Sequence, residues 1–425
     1  MDINFARLNH ILIPETKAGR DRWRRGLMGR ALAPIGAVLG ALSDEGRTLA
    51  LASLIVGGFG LDVHVSEVYL LWAALVALLA GSLAVHRFFR LNRVRVELDV
   101  PRRVTIGDEL RFGLLLYNDG DEDVRAIRTR GPFLPWDGRW TAEEPRLGLL
   151  AAGRMARVET AARFEARGEH HLDPFSAAAL VPFGLAVGPS IQSSGCKFLV
   201  VPRIARVERL TTPLGRRHQP GGVALASKTG ESMDLLGVRP YRPGDPVRHL
   251  HAKSWARHGA PVVREYQEEY FSRIGVVVDT ATPDSVSLEA AISLAAGVVA
   301  RLSRGEALID LLVVGGEVHD LTIGRHLGFL EQALDLLACV ERSKDAIAPD
   351  VLLSRLVTHL PRLSCVIVVT AAWDEGQLAE RIQGHGVGCS TLIVESAAQA
   401  GRSIHGPGLR RVSIAAIERG EALSL

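Results

Sequence analysis

Aromatic side chains are scarce, at 5% of the chain. That scarcity argues against a platform on which nucleic-acid bases stack. Charge offers no broad polycation either. Lys and Arg number 50 against 47 Asp and Glu, a formal net charge of +3. No nucleic-acid partner is therefore expected, and local excesses of base carry more information than the total. The cysteines Cys196, Cys339, Cys365 and Cys389 form no C-x-x-C pair. Scattered thiols argue against a disulfide frame or a cysteine zinc site and suggest a reducing compartment. The first 30 residues lack the apolar core of a secretory signal peptide. What is present in quantity is apolar surface: 47% of 425 residues, enough for two or three domains with their own cores.

One run changes the class of protein. Val68 to Val85, VYLLWAALVALLAGSLAV, holds 18 residues and no charge. That is the threshold length for a membrane-spanning helix, the alternative being a buried core helix. Tyr69 and Trp72 stand near one end, where interfacial anchors belong. Thr48 to Leu61 is also uncharged but shorter, covering about 21 Å at about 1.5 Å per residue. Extending it to Val65 takes in Asp62. The two runs predict a transmembrane hairpin over 48–88, after a basic segment over 1–47. Ala31 to Leu42 is too short to span and contains Pro34. It either lies in the interface or merely precedes the hairpin. Arg20, Arg22, Arg24, Arg25 and Arg30 precede the hairpin, and Arg87, Arg90, Arg93 and Arg95 follow it. The loop between has Asp62, His64 and Glu67 and no Lys or Arg. The excess of base on both flanks predicts a multi-pass protein of the cell membrane with both termini cytoplasmic.

Beyond residue 94 the period becomes two. Val94, Val96, Leu98 and Val100 alternate with charged partners, and Leu110, Phe112, Leu114 and Leu116 share one face before the turn Asn118-Asp119-Gly120. Ala156, Val158, Thr160, Ala162 and Phe164 repeat the pattern. Half-buried strands separated by turns predict a β-sandwich over 94–205. His170 and His171 are adjacent, so on a strand they face opposite sides and do not read as joint metal ligands. The last third alternates buried strands (Ile274–Asp279, Leu308–Val314, Cys365–Thr370, Ser390–Val394) with helical runs (Val286–Gly305, Leu327–Val340, Asp350–Leu360, Glu375–Gly384). That order predicts a parallel sheet covered on both faces, over 274–425. Ligands of such sheets sit beyond the carboxyl ends of strands, where Asp279 and Thr370 stand.

Asp279-Thr280-Ala281-Thr282-Pro283 occupies the position of the D-x-S-x-S motif of von Willebrand factor A domains, whose oxygens hold a divalent ion. Ala281 and Pro283 lack the two hydroxyls, and Asp374 is displaced from Thr370. The sequence therefore predicts a degenerate metal-ion-dependent adhesion site. Asp279, Thr282 and Thr370 remain as candidate ligands for Mg2+, and no cofactor is expected. His249 and His251 would share a face if on a strand, but Arg248 and Lys253 beside them repel a cation.

The densest block of cations is Val238 to Gly259, VRPYRPGDPVRHLHAKSWARHG. Pro243-Gly244 marks a turn that brings Arg242 and Asp245 together. Glu265, Glu268 and Glu269 follow. One reading is an ion-pair network that pins this segment to the sheet. The other is a charged surface for a partner or an anion. The candidate residues are Arg239, Tyr241, Arg242, Asp245, Arg248, Lys253, Arg257 and Glu265, over a segment 206–273 that leads into the α/β domain.

This block resembles the R-x-Y-x-x-G-D-x-x-R-x-I-x-W-K-x-x-A-R run of the domain-of-unknown-function 58 family. Arg239, Tyr241, Gly244, Asp245, Arg248, Lys253, Ala256, Arg257 and Glu265 match. Leu250 replaces Ile, His251 stands where an acid is common, and Ala252 replaces Trp, with Trp255 offering similar volume from another position. Ala166 to Leu185 resembles the family's R-G-x-Y-x-L…D-P-F-G-L stretch, with Val181 for the usual acid. The resemblance implies a membrane-anchored α+β multidomain protein: a transmembrane helical hairpin, a β-sandwich middle domain and a C-terminal α/β von Willebrand factor A-like (Rossmann-like) domain. It implies partners in the lipid bilayer and a MoxR-type AAA+ ATPase, and a scaffold or adaptor role in envelope assembly or stress tolerance. It carries over no catalytic residues. The alternative is a divalent-metal-dependent enzyme or metal-regulated binding protein using Asp279 or the His249/His251 pair.

Overall fold

The computed structural model describes residues 26–60, 66–213, 235–266, 273–305, 307–314, 318–323, 328–343, 353–354, 356–371, 377–395 and 408–425. Glu268, Glu269, Asp374, the hairpin loop 61–65 and, in the helical run from Asp350, residues 350–352 and 355 lie outside them. So does the arginine group up to Arg25. The chain divides into two compact units, at Val201 and Pro202.

In the first unit, helix α1 spans Leu27–Ala41, α2 Asp44–Gly60 and α3 Ser66–Val85. Helix α1 runs through Pro34 as one element of 15 residues. Ser43 fixes the start of α2. Its hydroxyl accepts from the Gly46 N–H at 2.9 Å, as a helix N-cap does, and donates to the Gly184 carbonyl at 2.5 Å. The Ser43 N–H donates to the Leu185 carbonyl at 3.0 Å. A Cβ on Gly46 would lie 1.9 Å from that carbonyl oxygen, so only glycine permits the approach. Arg128 of the sandwich then meets Asp44 at 2.5 Å, Glu45 at 3.0 Å and Glu144 at 3.1 Å. Arg146 meets Glu45 at 2.7 Å. These contacts fasten the root of α2 to the sandwich.

Helices α2 and α3 pack against each other, with Trp72 seated on Gly57; a Cβ there would come within 2.6 Å of the indole nitrogen. Apart from that seam, Leu51, Leu54, Ile55, Leu70 and Leu71 are exposed. The helix over Glu67–Phe88 is long and apolar enough to cross a membrane, and only 6% of its apolar window is buried. Ser285–Leu302 passes the same test of length and composition but is 72% buried, as the core helix of an α/β layer is.

The sandwich follows from the alternation. Strands Val94–Asp99, Glu109–Asn118, Met155–Phe164 and Gly138–Trp140 form one antiparallel sheet. Ile191–Gln192, Ser176–Ala179, Val124–Arg130 and Arg146–Leu150 form a second. Leu110, Phe112, Leu114 and Leu116 all point into the core, as the period of two requires. Phe112 meets the rings of Trp140, Phe175 and Phe198 at centroid distances of 5.8, 5.4 and 6.4 Å. His170 lies against Phe198 and hydrogen-bonds Asp137 at 2.9 Å. Burial alone would lower the imidazole pKa. The hydrogen bond and charge of Asp137 outweigh it and hold the pKa above the ordinary range.

The second unit is built on a six-stranded sheet. Its order is Val318–Ile323, Leu308–Val314, Arg273–Asp279, Cys365–Thr370, Gly388–Glu395, Leu409–Ser413. All neighbours are parallel except the Val318–Ile323 edge, which pairs antiparallel. The alternating strands and helices put the first strand at the centre, as in doubly wound sheets. The parallel strands read as unbroken apolar runs because both their faces are covered. The long helix of this unit, Ser285–Leu302, is capped by Asp284, whose carboxylate accepts the Ser287 N–H at 2.6 Å.

Two outcomes test this core. Phe112→Ala should cost about 3–5 kcal/mol in denaturant melts, the usual loss for a fully enclosed aromatic. A histidine whose folded pKa is raised stabilises fully below its unfolded pKa of about 6.5 and loses that contribution as pH rises through the folded value. Melting of the first unit should therefore fall as pH rises above about 6.5, and Asp137→Asn should flatten that slope.

Candidate functional site

The family-like block folds as a ribbon. Strands Leu235–Pro240 and Val262–Tyr266 pair antiparallel as a two-stranded sheet of their own. Between them lie a tight turn, a 3-10 turn at Val247–His249 and helix α4, Ala252–His258. Gly244 takes φ 104° in the turn, and Gly259 takes φ 68° to end the helix, values that favour glycine.

One side chain organises this loop. The Arg239 guanidinium donates to both carboxylate oxygens of Asp245, at 2.7 and 2.8 Å. It also lies 3.6 Å from Glu265 across the ribbon. Arg239 pairs in register with Val263, which makes Glu265 its diagonal neighbour. Asp245 accepts a further bond from the Arg242 N–H at 2.8 Å. The Arg239 hydrogen bond, then the Arg242 N–H, pull the Asp245 pKa down to about 2. Tyr241 is half-buried and its N–H donates to the Pro261 carbonyl at 2.9 Å.

The turn thus brings Arg242 and Asp245 together as its sequence implies. The network's ion pairs among the described residues close the ribbon on itself, and Glu268 and Glu269, the other acids of the expected network, lie outside those residues. The closure comes from the pairing of the two flanking strands, which puts the acid and base within reach of each other. Arg242, Arg248, Lys253 and Arg257 are all exposed, and among the described residues none of their side chains forms an ion pair, although the Arg242 N–H and charge both act on Asp245. Arg248 donates instead to His249 at 3.3 Å. Trp255 is 42% exposed and is not a core residue.

The metal candidates fare differently from one another. His249 ends the 3-10 turn and His251 precedes α4, so the two do not share the face of a strand. The His251 Nδ1 is 2.7 Å from the Ser254 hydroxyl. At the sheet edge, Asp279 and Thr370 do meet. One carboxylate oxygen accepts from the Thr370 hydroxyl at 3.0 Å and the other from the Ala281 N–H at 2.9 Å. The Thr282 hydroxyl is engaged elsewhere, donating to the Asp284 carbonyl at 2.9 Å. Among the described residues no three His, Cys, Asp or Glu side chains converge as a metal-binding group.

Two groupings were not found by reading the sequence. One is the Asp44, Glu45, Arg128 and Arg146 cluster, although an acidic pair just before an apolar run is a recognisable helix start. The other is the Pro182-Phe183-Gly184 turn with its exposed phenyl ring.

No family model matches the chain, and no curated protein matches it. Two solved structures that resemble it do so over about a quarter of the chain. A stretch of native α-2-macroglobulin from Escherichia coli, from domain MG7 to the C-terminus, is 17% identical with a TM-score of 0.20. The match covers 28% of this chain and only 20% of that one. The CARDB domain of PF1109 from Pyrococcus furiosus is 12% identical with a TM-score of 0.18, covering 25% of this chain and 87% of that one.

A carboxylate with a depressed folded pKa stabilises fully above its unfolded value of about 3.9 and loses that contribution as pH falls through the folded value. The ribbon should therefore keep its amide exchange protection at pH above about 4 and lose it towards about 2. Asp245→Asn should abolish that acid dependence, as read by hydrogen exchange.

Proposed function

We propose that the chain is a membrane-anchored, non-enzymatic adaptor that presents its ribbon to a MoxR-type AAA+ ATPase. The observation that carries this reading is how the ribbon's charges are used. Arg239, Asp245 and Glu265 satisfy one another and fix the shape of the loop. Arg242, Arg248, Lys253 and Arg257 stay exposed around that loop. A rigid loop with exposed guanidinium groups fits an acidic protein surface, since arginine loses little freedom on pairing with carboxylates. Its contribution would lie mainly in orientation and encounter rate, and would weaken with salt.

The membrane part of the proposal rests on the exposed apolar faces of α2 and α3. In this reading both helices cross the bilayer, and the arginines that flank them keep both termini in the cytoplasm. The second unit is then a cytoplasmic von Willebrand factor A-like domain with a degenerate metal site. Its doubly wound strand order supports that class. The process served would be envelope assembly or stress tolerance.

The test is co-purification of a MoxR-type ATPase with the full chain from detergent-extracted membranes. The pair Arg242→Glu and Arg248→Glu should weaken capture at least about tenfold, or about 1.4 kcal/mol. Arg206→Glu, outside the ribbon strands and their loop, should not. Unchanged capture by the folded double variant would overturn the proposal.

A further inference from the structure

The first unit carries a cleft of about 950 Å³ beside the roots of the hairpin. Phe88 and Phe89 line it on one side, and Pro182, Phe183 and Gly184 on the other. Phe88 is 84% exposed and Phe183 is 80% exposed. Phe183 also sits in a backbone conformation that disfavours it. The Gly184 N–H donates to the Val181 carbonyl at 2.9 Å, closing a turn with Pro182 first and Phe183 second. Phe183 has φ 72° and ψ −4°, the values of the second central residue of a type II turn, where glycine is normal. Arg93, Ala126 and Phe183 are the non-glycine residues with left-handed backbone among those described, and all of them line this cleft. A strained turn that holds a bare phenyl ring in the open calls for an explanation outside the fold.

The helix geometry supplies one. Gly57 and Trp72 touch across the hairpin. Gly57 lies as many residues beyond Asp44 as Trp72 lies before Val85. Both helices rise about 1.5 Å per residue, so Asp44 and Val85 stand at one level. Ser43 binds the Phe183 turn through the Gly184 and Leu185 carbonyls, and Phe88 ends the 3-10 turn His86–Phe88 that follows Val85. The two exposed rings therefore lie at the same depth, where the helices leave their apolar stretch. Arg87 and Arg90 are exposed on either side of Phe88. The acids of the cleft are partly occupied: Asp121 pairs with Arg93 at 2.8 Å, and Asp123 accepts the Ala152 N–H at 2.9 Å.

We propose that Phe88 and Phe183 form a two-pronged wedge that seats the sandwich in the headgroup layer of the bilayer, with Arg87 and Arg90 on the phospholipid phosphates. This rests on the reading of α2 and α3 as a membrane hairpin. Two rings beside the helix roots add to the Ser43 and Arg128 contacts in holding the sandwich at a fixed angle to the bilayer. Aromatic rings at headgroup depth and arginines on anionic phosphate are the chemistry of such an interface.

The test places the photo-crosslinking residue p-benzoylphenylalanine at position 88, 183 or 109 in the full chain. Each variant is reconstituted in vesicles of phosphatidylethanolamine and phosphatidylglycerol. Glu109 is a control because it starts the strand that ends at Asn118 beside the cleft, roughly 30 Å away along the sheet. Lipid adducts, read by mass spectrometry, should form at 88 and 183 at least tenfold more than at 109. Adducts at 88 but not at 183, or equally at all positions, would overturn the wedge. No adduct at either 88 or 183 would overturn the membrane hairpin itself. Circular dichroism melts establish that each variant is folded. Phe183→Gly, which suits the left-handed turn, should melt no lower than wild type in detergent.

Discussion

The bidentate pair of Arg239 and Asp245 is the constraint on which the proposed recognition surface depends. It closes the loop between the ribbon strands at 2.7 and 2.8 Å while both side chains are mostly covered. Removing one member would leave Arg239 with only Glu265 at 3.6 Å, or Asp245 with only the Arg242 N–H at 2.8 Å. With the pair made, the turn at Gly244 is fixed and its neighbouring cations have a defined placement. The family-like motif therefore reads as two sets of residues. Arg239, Asp245 and Glu265 form the frame, and Arg242, Arg248, Lys253 and Arg257 are displayed on it.

A second ionic cluster does related work in the first unit. Arg128 is almost covered and meets acids from the start of α2 as well as Glu144 of its own sheet. Ser43 adds hydrogen bonds to the 184–185 carbonyls. Isolated surface pairs contribute little, but an arginine shared by several acids and reinforced by a helix cap resists rotation of the helix root. The sandwich and the apolar helices therefore form one unit, and the Phe183 turn is held at the level where α2 begins and α3 ends.

Much of this architecture is written in local patterns. The alternation through Leu110, Phe112, Leu114 and Leu116 marks a strand because one of its faces is enclosed. The apolar runs ending at Asp279 and Thr370 mark strands buried on both faces. The turn that joins Arg242 to Asp245 is legible from Pro243-Gly244. Other features depend on partners far along the chain. Nothing near Arg128 indicates that it meets Asp44, and nothing in Val318–Ile323 indicates an antiparallel edge on a parallel sheet. His249 and His251 have strand spacing but occupy a 3-10 turn and a helix start, because the loop between the ribbon strands must reverse direction. Trp255 looks like core volume in sequence, yet α4 is too short to bury that face.

The proposed adaptor role has the ribbon's exposed arginines touching an ATPase. The most direct measurement is site-specific photo-crosslinking from position 242 of the full chain in native membranes, followed by identification of the attached protein. The account predicts a MoxR-type AAA+ ATPase as the main adduct, reduced by added salt. A main adduct with lipid, or with a protein of another class, would contradict it.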